Sequence, residues 1–313
     1  MRGWPIGLAL WLLFVTALEA AGAVAVWRFF VGTEHGQRLD YVAITGNSIG
    51  RAHVETLVHD TLNGISAVSL TAATIVIGFI ALARRRVALA AGAVLLIGGA
   101  NVTTQVLKAL IHRPELGIDA QRAAAGNSLP SGHATVAASV AVALVLVLPA
   151  KARGPAALLG AVFAALAGVA TLSAGWHRPS DAVAALLVVG AWAAAASLFI
   201  VIAQRRHGGV SYGSPNTYTT VFLTVVALGL LAGAALCMRL TDDVITRSVH
   251  DLSRGHLFVA YAGGALGIAG IAAAVVAAVL LTVHRVVPRL VPPGDADADA
   301  NDDEPTTQVI LPV

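Results

Sequence analysis

The sequence predicts an all-α, polytopic membrane protein with about eight transmembrane spans. Of its 313 residues, 57% are hydrophobic and only 12% are charged, whereas about a quarter of the residues are charged in soluble domains. Several apolar stretches reach the ~20 residues that a helix needs to cross a bilayer. The stretches that we interpret as spans cover residues 4–27, 64–83, 87–107, 133–150, 156–176, 181–203, 217–238 and 257–283.

The first part of the chain, residues 1–63, combines a span with a polar loop. The apolar run at 4–27 exceeds the 7–15 residues of the apolar region in a cleaved signal peptide, so we expect an uncleaved first span. In the loop at 31–63, a short apolar stripe with helical spacing predicts an amphipathic helix on the membrane surface. The stripe consists of Val54, Leu57, Val58 and Leu62.

The remainder divides into a core and two flanking parts. Residues 64–203 contain the next five spans and every residue pattern that indicates chemistry, and residues 204–289 add two further spans. The loop at 239–256 carries Val244, Ile245, Val249 and Leu252 at helical spacing, which makes it a candidate for a second surface helix. Residues 290–313 are rich in Asp, Ala and Pro, a composition that predicts a disordered acidic tail.

Short basic turns predict the orientation of the chain in the cell membrane. Eight spans place both termini on one side, and short loops rich in Lys and Arg favour the cytoplasm. The loop at 108–132 and the turn at His177 then face the extracytoplasmic side. The basic turns contain Arg84 to Arg86, Lys151 with Arg153, and Arg205 with Arg206.

Two polar stretches at the ends of spans carry the candidate catalytic residues. His177 and Asp181 are four residues apart, a spacing that places both on one face of a helix. An aspartate that holds the Nδ1–H group of a histidine fixes its tautomer and raises its basicity, so His177 is a candidate nucleophile or base. The stretch N-S-L-P-S-G-H at 127–133 precedes a span, and it places backbone N–H groups and His133 at a helix N-terminus, which favours anions.

The nearby cations suit a phosphate. Lys108 and Arg113 supply fixed positive charge on the same side of the membrane. Two histidines with a single carboxylate make a poor zinc site, so we expect no metal. Attack of His177 on phosphorus, with cations neutralising the phosphoryl oxygens and His133 giving a proton to the leaving oxygen, is phosphoryl transfer without a metal.

These residues resemble the three motifs of the type 2 phosphatidic acid phosphatase family, also called lipid phosphate phosphatases. The family motifs read K-x6-R-P, P-S-G-H and S-R-x5-H-x3-D, and the resemblance covers roughly residues 60–203. It implies a six-helix core, a phosphohistidine intermediate, no metal or other cofactor, and a membrane lipid phosphate rather than a nucleic acid as partner. The resemblance implies His177 as nucleophile, Asp181 as its orienting group and His133 as general acid. It also implies that Lys108, Ser131 and Gly132 hold the phosphate.

The chain departs from two of these motifs. The arginine of the first motif falls at Glu115, and Arg113 comes two residues early, so we expect Arg113 to substitute for it. The Ser-Arg pair of the third motif falls at Ala170 and Thr171. Arg178, next to the proposed nucleophile, either compensates for this missing arginine or faces lipid headgroups.

Three functions follow from the resemblance. The first is an extracytoplasmic phosphatase that hydrolyses a lipid-linked phosphate or pyrophosphate, such as a polyprenyl pyrophosphate, phosphatidic acid or phosphatidylglycerophosphate. The second is a phosphotransferase on the same scaffold that uses another lipid or a sugar alcohol as acceptor. The third is a non-enzymatic membrane protein that has kept the fold but lacks an arginine of the third motif.

Overall fold

Helices make up nearly all of the structure, a computed structural model that describes residues 6–48, 67–83, 86–119, 126–204, 210–211, 215–246, 249–287 and 289–290. The helices are α1 Ile6–Val26, α2 Glu34–Thr45, α3 Ala67–Ala83, α4 Val87–Leu110, α5 Gly132–Val147, α6 Ala150–Ser173, α7 Pro179–Ala203, α8 Thr217–Asp242 and α9 Arg254–Val286. A π-helical turn, Trp27–Val31, continues α1, and 3-10 turns lie at Gly46–Ser48 and Val249–Asp251. Strands β1 Val210–Ser211 and β2 Arg289–Leu290 pair antiparallel.

Each predicted span coincides with a helix. Six helices are long and apolar enough to cross a membrane, namely α1 with its π-helical turn, α4, α6, α7, α8 and α9. A helix is the natural state for such sequences, because hydrocarbon offers no partner for an unpaired backbone N–H or C=O group. The chain is therefore a multi-pass membrane protein. Helices α3 and α5 have only 17 and 16 residues, so the count of eight crossings stays a prediction.

Helix α7 lies at the centre of the bundle. It packs against α1, α4, α5, α6 and α9, and alanine supplies many of its buried positions. Small side chains let helix backbones approach closely in membranes, where dispersion contacts drive helix association. One close approach involves α1, because a Cβ atom on Gly190 would lie 2.8 Å from the carboxyl carbon of Glu19.

The two C-terminal helices join the core through α9. Helix α9 packs against α6, α7 and α2, whereas α8 packs mainly against α9. The outer face of α8 exposes large apolar side chains, including Leu228, Leu236 and Leu240. In a membrane-spanning helix, an exposed apolar face contacts lipid chains. Helix α8 therefore forms one outer edge of the described bundle.

The polar loop predicted at 31–63 contains a helix that the sequence reasoning missed. Helix α2 begins after Thr33, whose hydroxyl oxygen accepts a hydrogen bond from the N–H group of Gly36 at 3.0 Å, as an N-cap residue does. Its Val42 and Ala43 pack against Val244 and Leu252 of the loop after α8. The amphipathic helix predicted around Val54 to Leu62 lies outside the described residues.

Two other local predictions are wrong. In the loop where a second surface helix was a candidate, residues 243–246 form a turn and Val249–Asp251 form a 3-10 turn. Val244 and Leu252 of this loop pack against α2 instead of the membrane. The turn expected at 151–155 belongs to α6, which begins at Ala150. Buried Arg153 is accommodated there because its Nε–H group donates to the carbonyl oxygen of Leu148 at 3.0 Å. Of the predicted tail, Leu290 belongs to β2, and residues 291–313 lie outside the described part.

Candidate active site

The predicted catalytic stretches meet at one end of the bundle, which we call the site face. Helices α5 and α7 begin there and α4 ends there. The backbone N–H group of Ser131 donates to the carbonyl oxygen of Asp181 at 2.9 Å, so the start of α5 is joined directly to the start of α7. This bond brings together two stretches that are fifty residues apart in the sequence.

His177 and Asp181 are in contact, although not for the reason that their spacing suggested. Nδ1 of His177 lies 3.3 Å from Oδ2 of Asp181. His177 precedes α7, which begins at Pro179, so the pair does not share a helical face. Asp181 instead lies in the first turn of α7, and its side chain reaches back over the helix N-terminus. There Oδ2 also accepts the backbone N–H group of Arg178 at 3.0 Å.

Ser128 completes the surroundings of this carboxylate. Its hydroxyl group donates to Oδ2 of Asp181 at 2.6 Å, and its oxygen accepts a hydrogen bond from Nη1 of Arg178 at 3.3 Å. Asp181 is completely buried, and buried charges need such partners. Sequence reasoning did not select Ser128, although it lies inside the stretch at 127–133. Its position three residues before Ser131 carries no signal by itself.

His133 faces His177 across a gap. The ring centroids are 6.5 Å apart with an interplanar angle of 62°, and the His133 ring also lies 5.5 Å from that of Trp176. His133 is the second residue of α5. The first N–H groups of a helix have no intrahelical acceptor, so those of Gly132 and His133 are oriented to bind an anion.

Lys108 lies in a helix where a loop was expected, whereas Ser131 lies directly before α5, as its place in the sequence predicted. Lys108 belongs to the last turn of α4 instead of the following loop, because the helix continues to Leu110. A Cβ atom on Gly132 would lie 3.8 Å from Nζ of Lys108, so the ammonium group is close to the start of α5. Ser131 is completely buried and caps α5, accepting the N–H group of Ala134 at 3.4 Å.

Arg113 is enclosed between two carboxylates. Its side chain is 2% exposed, and Nη2 lies 3.8 Å from Oδ2 of Asp40 and 4.0 Å from Oδ1 of Asp181. Among the described residues, Nε and Nη2 of Arg113 and Oδ1 of Asp181 have no hydrogen-bond partner. Burial and the neighbouring Arg178 lower the pKa of Arg113, and the nearby carboxylates oppose this effect. The guanidinium group keeps its charge and has N–H groups available for an anion.

Asp40 is a buried acidic residue that sequence reasoning missed. It lies on α2, is 1% exposed, and accepts the Ser180 N–H group at 3.3 Å on Oδ1 and the Ser180 hydroxyl group on Oδ2. Burial, followed by repulsion from Asp181, raises the pKa of Asp40 to about 7, against the attraction of Arg113 and Ser180. No motif marks this position, because its partner lies 140 residues away.

Arg178 turns towards the interior of the protein, not towards lipid headgroups. It is 5% exposed, and its Nη2 lies 3.4 Å from Oδ2 of Asp119. Ala170 and Thr171 occupy the positions of the Ser-Arg pair in the third motif, and Thr171 contributes a backbone group instead of a phosphate-binding side chain. The carbonyl oxygen of Thr171 accepts the N–H groups of Trp176 at 3.0 Å and His177 at 3.2 Å. The end of α6 thus holds the main chain of His177 in place.

The donor set of this face is arranged for an anion. In the described ranges, no three His, Cys, Asp or Glu side chains are grouped so that they could hold a metal ion. The cations Lys108, Arg113 and Arg178 lie among the carboxylates Asp40, Asp119 and Asp181. Because the pKa of Asp40 is raised to about 7, this carboxyl group carries only part of a negative charge at neutral pH. The positive charges then exceed the negative ones, and such a site favours a negatively charged group.

Comparison with known proteins gives one match. Residues 87–207 match the model of the PAP2 superfamily, and no curated protein and no solved structure matches the chain. The matched segment contains helices α4 to α7 and all eight residues that the sequence analysis assigned to the site. Helix α2 with Asp40, and helices α8 and α9, lie outside it.

Proposed function

We propose that the protein, whose residues 87–207 match the PAP2 superfamily model, hydrolyses a lipid-linked phosphate or pyrophosphate. The superfamily generally comprises phosphatases, and the six helices that are long and apolar enough to cross a membrane support a substrate from the bilayer. The proposed reaction occurs at the extracytoplasmic face of the cell membrane. The proposed phosphatase core is residues 64–203. The amino-terminal part precedes it, and the two C-terminal spans follow it.

The observation that carries this proposal is the arrangement of the two histidines. Nδ1 of His177 faces Asp181 at 3.3 Å, so Nε2 is the nitrogen left for attack on phosphorus. The ring of His133 lies 6.5 Å away, a separation that a phosphoryl group can bridge with one histidine on each side. An in-line displacement needs this opposed placement of nucleophile and acid.

The proposed reaction has two steps. In the first, Nε2 of His177 forms a bond to phosphorus, the bond from phosphorus to the lipid oxygen breaks, and His133 gives its proton to that oxygen. In the second, water attacks the phosphohistidine, the P–N bond breaks, and His133 takes a proton from the water. Asp181 stabilises the positive charge that develops on the His177 ring.

Fixed positive charge supports both steps. We assign Lys108 and the N–H groups of Gly132 and His133 to the phosphoryl oxygens, because they lie together at the start of α5. Arg113 and Arg178 supply further charge beside Asp181. Ser131 acts through its cap on α5 and its bond to the Asp181 carbonyl group, which set the relative positions of the two helices.

Phosphate release by the purified full-length protein tests the proposal. The substrates are phosphatidic acid, phosphatidylglycerophosphate and a polyprenyl pyrophosphate, each with EDTA present. We expect release to persist in EDTA, because histidine and cations do here what metal ions do in two-metal phosphatases. Activity that chelation abolishes and magnesium or zinc restores would contradict the proposed chemistry.

Two controls separate the alternatives. His177→Ala should abolish release, whereas His112→Ala, an exposed histidine near the same face, should leave it unchanged. A dependence of turnover on an added lipid or sugar alcohol, with the phosphoryl group recovered on that alcohol, would indicate a phosphotransferase. Equal background release from wild type and His177→Ala with every substrate would indicate a non-enzymatic protein.

A further inference from the structure

A second site of a different kind lies beside the candidate active site. A partly open cavity of about 270 Å³ lies between α2, the start of α7, α8 and α9. Its walls include Phe30, Leu39, Val183, Leu231, Met238 and Ile271. None of the proposed phosphate-binding residues lines it. The Asp40–Ser180 pair forms its polar end, and neither histidine is among the residues that line it.

Small residues on α8 and α9 create this space. A Cβ atom on Gly263 or Gly264 would collide with a neighbouring helix, at 2.7 Å from Cβ of Cys237 and 2.6 Å from Cγ of Pro179. These two glycines therefore allow close helix contact. Gly267 is different, because a Cβ atom there would have its nearest neighbour at 3.8 Å. The absence of a side chain at Gly267 leaves room inside the cavity.

The polar groups of the lining are already bonded. Asp40 accepts two hydrogen bonds from Ser180, and the hydroxyl group of Thr241 donates to the carbonyl oxygen of Cys237 at 2.8 Å. A buried water needs about 2–4 polar partners and a cavity volume of only about 10–15 Å³. The cavity is far larger than one water and offers few free partners, so water fills it poorly. If it were empty, the lining would lose dispersion contacts.

The surroundings indicate which molecule fills it. Ala235 and Met238 form part of the wall and are exposed on α8, a helix long enough to span the membrane. The cavity therefore borders on hydrocarbon. Along α8 it extends from Thr241 to Leu231, ten residues or about 15 Å at 1.5 Å per residue. The hydrocarbon core of a bilayer is ~30 Å thick. The length of the cavity is about half of this thickness, and half of the thickness is the depth of one leaflet.

We propose that this cavity binds one hydrocarbon chain of a bilayer phospholipid from the leaflet at the site face. The polar end at Asp40, Ser180 and Thr241 lies near the headgroup level, and the apolar end at Leu231 and Ile271 lies towards the middle of the membrane. The bound chain packs against Pro179 and Ser180, the first residues of the helix that carries Asp181. It thereby supports the start of α7.

Photolabelling in vesicles tests this site without any reference to turnover, so its outcome is separate from that of the proposed function. The full-length protein is reconstituted in phosphatidylcholine containing a small fraction of phosphatidylcholine with a diazirine on one acyl chain. This lipid has no phosphomonoester group. After irradiation, labelled residues are identified by mass spectrometry. We expect adducts on the inward-facing residues Leu39, Val183 and Ile271, besides those on outward-facing Leu228 and Leu236.

Two variants that fill the cavity provide the decisive comparison. Gly267→Leu and Ala234→Leu occupy the space from α9 and from α8, and both should reduce labelling of Leu39, Val183 and Ile271 severalfold. Gly229→Leu is the matched control, because Gly229 is exposed on α8 with no atom within 4 Å of an added Cβ. It should label as wild type does. The proposal would be overturned if the inward-facing residues were unlabelled in wild type, or if the filling variants labelled them as strongly as wild type does. Unchanged labelling of Leu228 and Leu236 is the control for folding of the variants.

Discussion

Asp181 determines which nitrogen of His177 faces a carboxylate and which is left for the proposed reaction. Its Oδ2 atom faces Nδ1 of the histidine and also accepts hydrogen bonds from Ser128 and from the backbone of Arg178. These bonds fix the carboxylate over the N-terminus of α7, where the helix dipole also favours negative charge. The histidine is consequently held in one tautomer, with Nε2 free. This is the basis for assigning different roles to the two histidines.

If His177 is the nucleophile and His133 the general acid, the loss of rate in the His133 variant should depend on the leaving group. General acid catalysis is typically worth about 10²–10⁴ in rate, and its value falls when the leaving oxygen is a weak base. His133→Ala should therefore be badly impaired on a lipid monophosphate and less impaired on p-nitrophenyl phosphate. His177→Ala should be inactive on both, and Asp181→Asn should fall between. Values of kcat for the two substrates measure this.

The opposite result would exchange the roles. If His133→Ala were inactive on both substrates while the activated substrate rescued His177→Ala, then His133 would be the nucleophile. Isolation of the phosphorylated protein gives an independent check. The acid-labile phosphoryl group should be found on His177 in wild type and should be absent from His177→Ala.

Asp40 predicts a pH dependence of stability. Its pKa is raised in the folded protein to about 7 from the ordinary value of 3.8, so folding favours the neutral form. The corresponding stability is fully present below about pH 4 and is lost as the pH rises through about 7. The Tm of wild type in detergent should therefore fall between pH 5 and pH 8 relative to Asp40→Asn, which has no such proton. Parallel Tm curves for the two proteins would contradict this account.

Sequence reasoning found the parts of the site that depend on short motifs. His133, His177, Asp181 and Lys108 lie at the ends of apolar runs, so their convergence followed from the order of the spans. Asp40 could not be found in this way, because only its fold-dependent contact with Ser180 distinguishes it from other polar-loop residues. The sequence also placed Arg113 among the phosphate ligands, but whether it faces two carboxylates or an open cradle depends on packing.

At the scale of elements, hydropathy predicted every apolar helix but not their exact ends. Lipid surroundings make helices obligatory for long apolar runs, whereas helix ends depend on caps and local side-chain contacts. Lys108 fell inside α4 and Lys151 inside α6 for this reason. Helix α2 was missed because it is short and of mixed polarity, and its burial depends on distant residues after α8.

The conformation of the turn between α6 and α7 requires glycine at position 175. Gly175 has a φ of 72°, and L-residues with a side chain lose roughly 1–2 kcal/mol in this conformation. Because the same turn holds the main chain of His177 through Thr171, Gly175→Ala should lower both Tm and kcat. Gly78→Ala is the control, since no atom lies within 4 Å of an added Cβ and alanine favours helix. Equal Tm and kcat values for both variants and wild type would exclude strain in this turn.

At the scale of the whole molecule, the site extends beyond the segment that matches the superfamily. Helix α2 contributes Asp40, which lies against Ser180 and near Arg113. Helix α9 packs against α2, α6 and α7, so it holds α2 in place beside the core. The flanking elements therefore complete the surroundings of Asp181 from one side, while the matched segment supplies the histidines. Removal of α8 and α9 would remove the contacts that seat α2.

Orientation is the remaining property that belongs to the whole molecule. Glu115 is exposed in the loop after α4, at the site face. Lys151 is exposed at the start of α6, whose 24 residues span about 36 Å and end at the site face. The two positions are therefore at opposite ends of the bundle. The short basic turns predict that the end with Lys151 is cytoplasmic.

Cysteine labelling in intact cells decides the orientation. In a Cys237→Ala background, which removes the single native cysteine, Glu115→Cys should react with a membrane-impermeant maleimide added outside. Lys151→Cys should react only after permeabilisation, because the reagent cannot cross the bilayer. The reverse pattern would place His133 and His177 in the cytoplasm, and the substrate would then have to come from the inner leaflet. Since hydrolysis requires the phosphate group and the histidines on the same side, this experiment also determines which leaflet supplies the lipid.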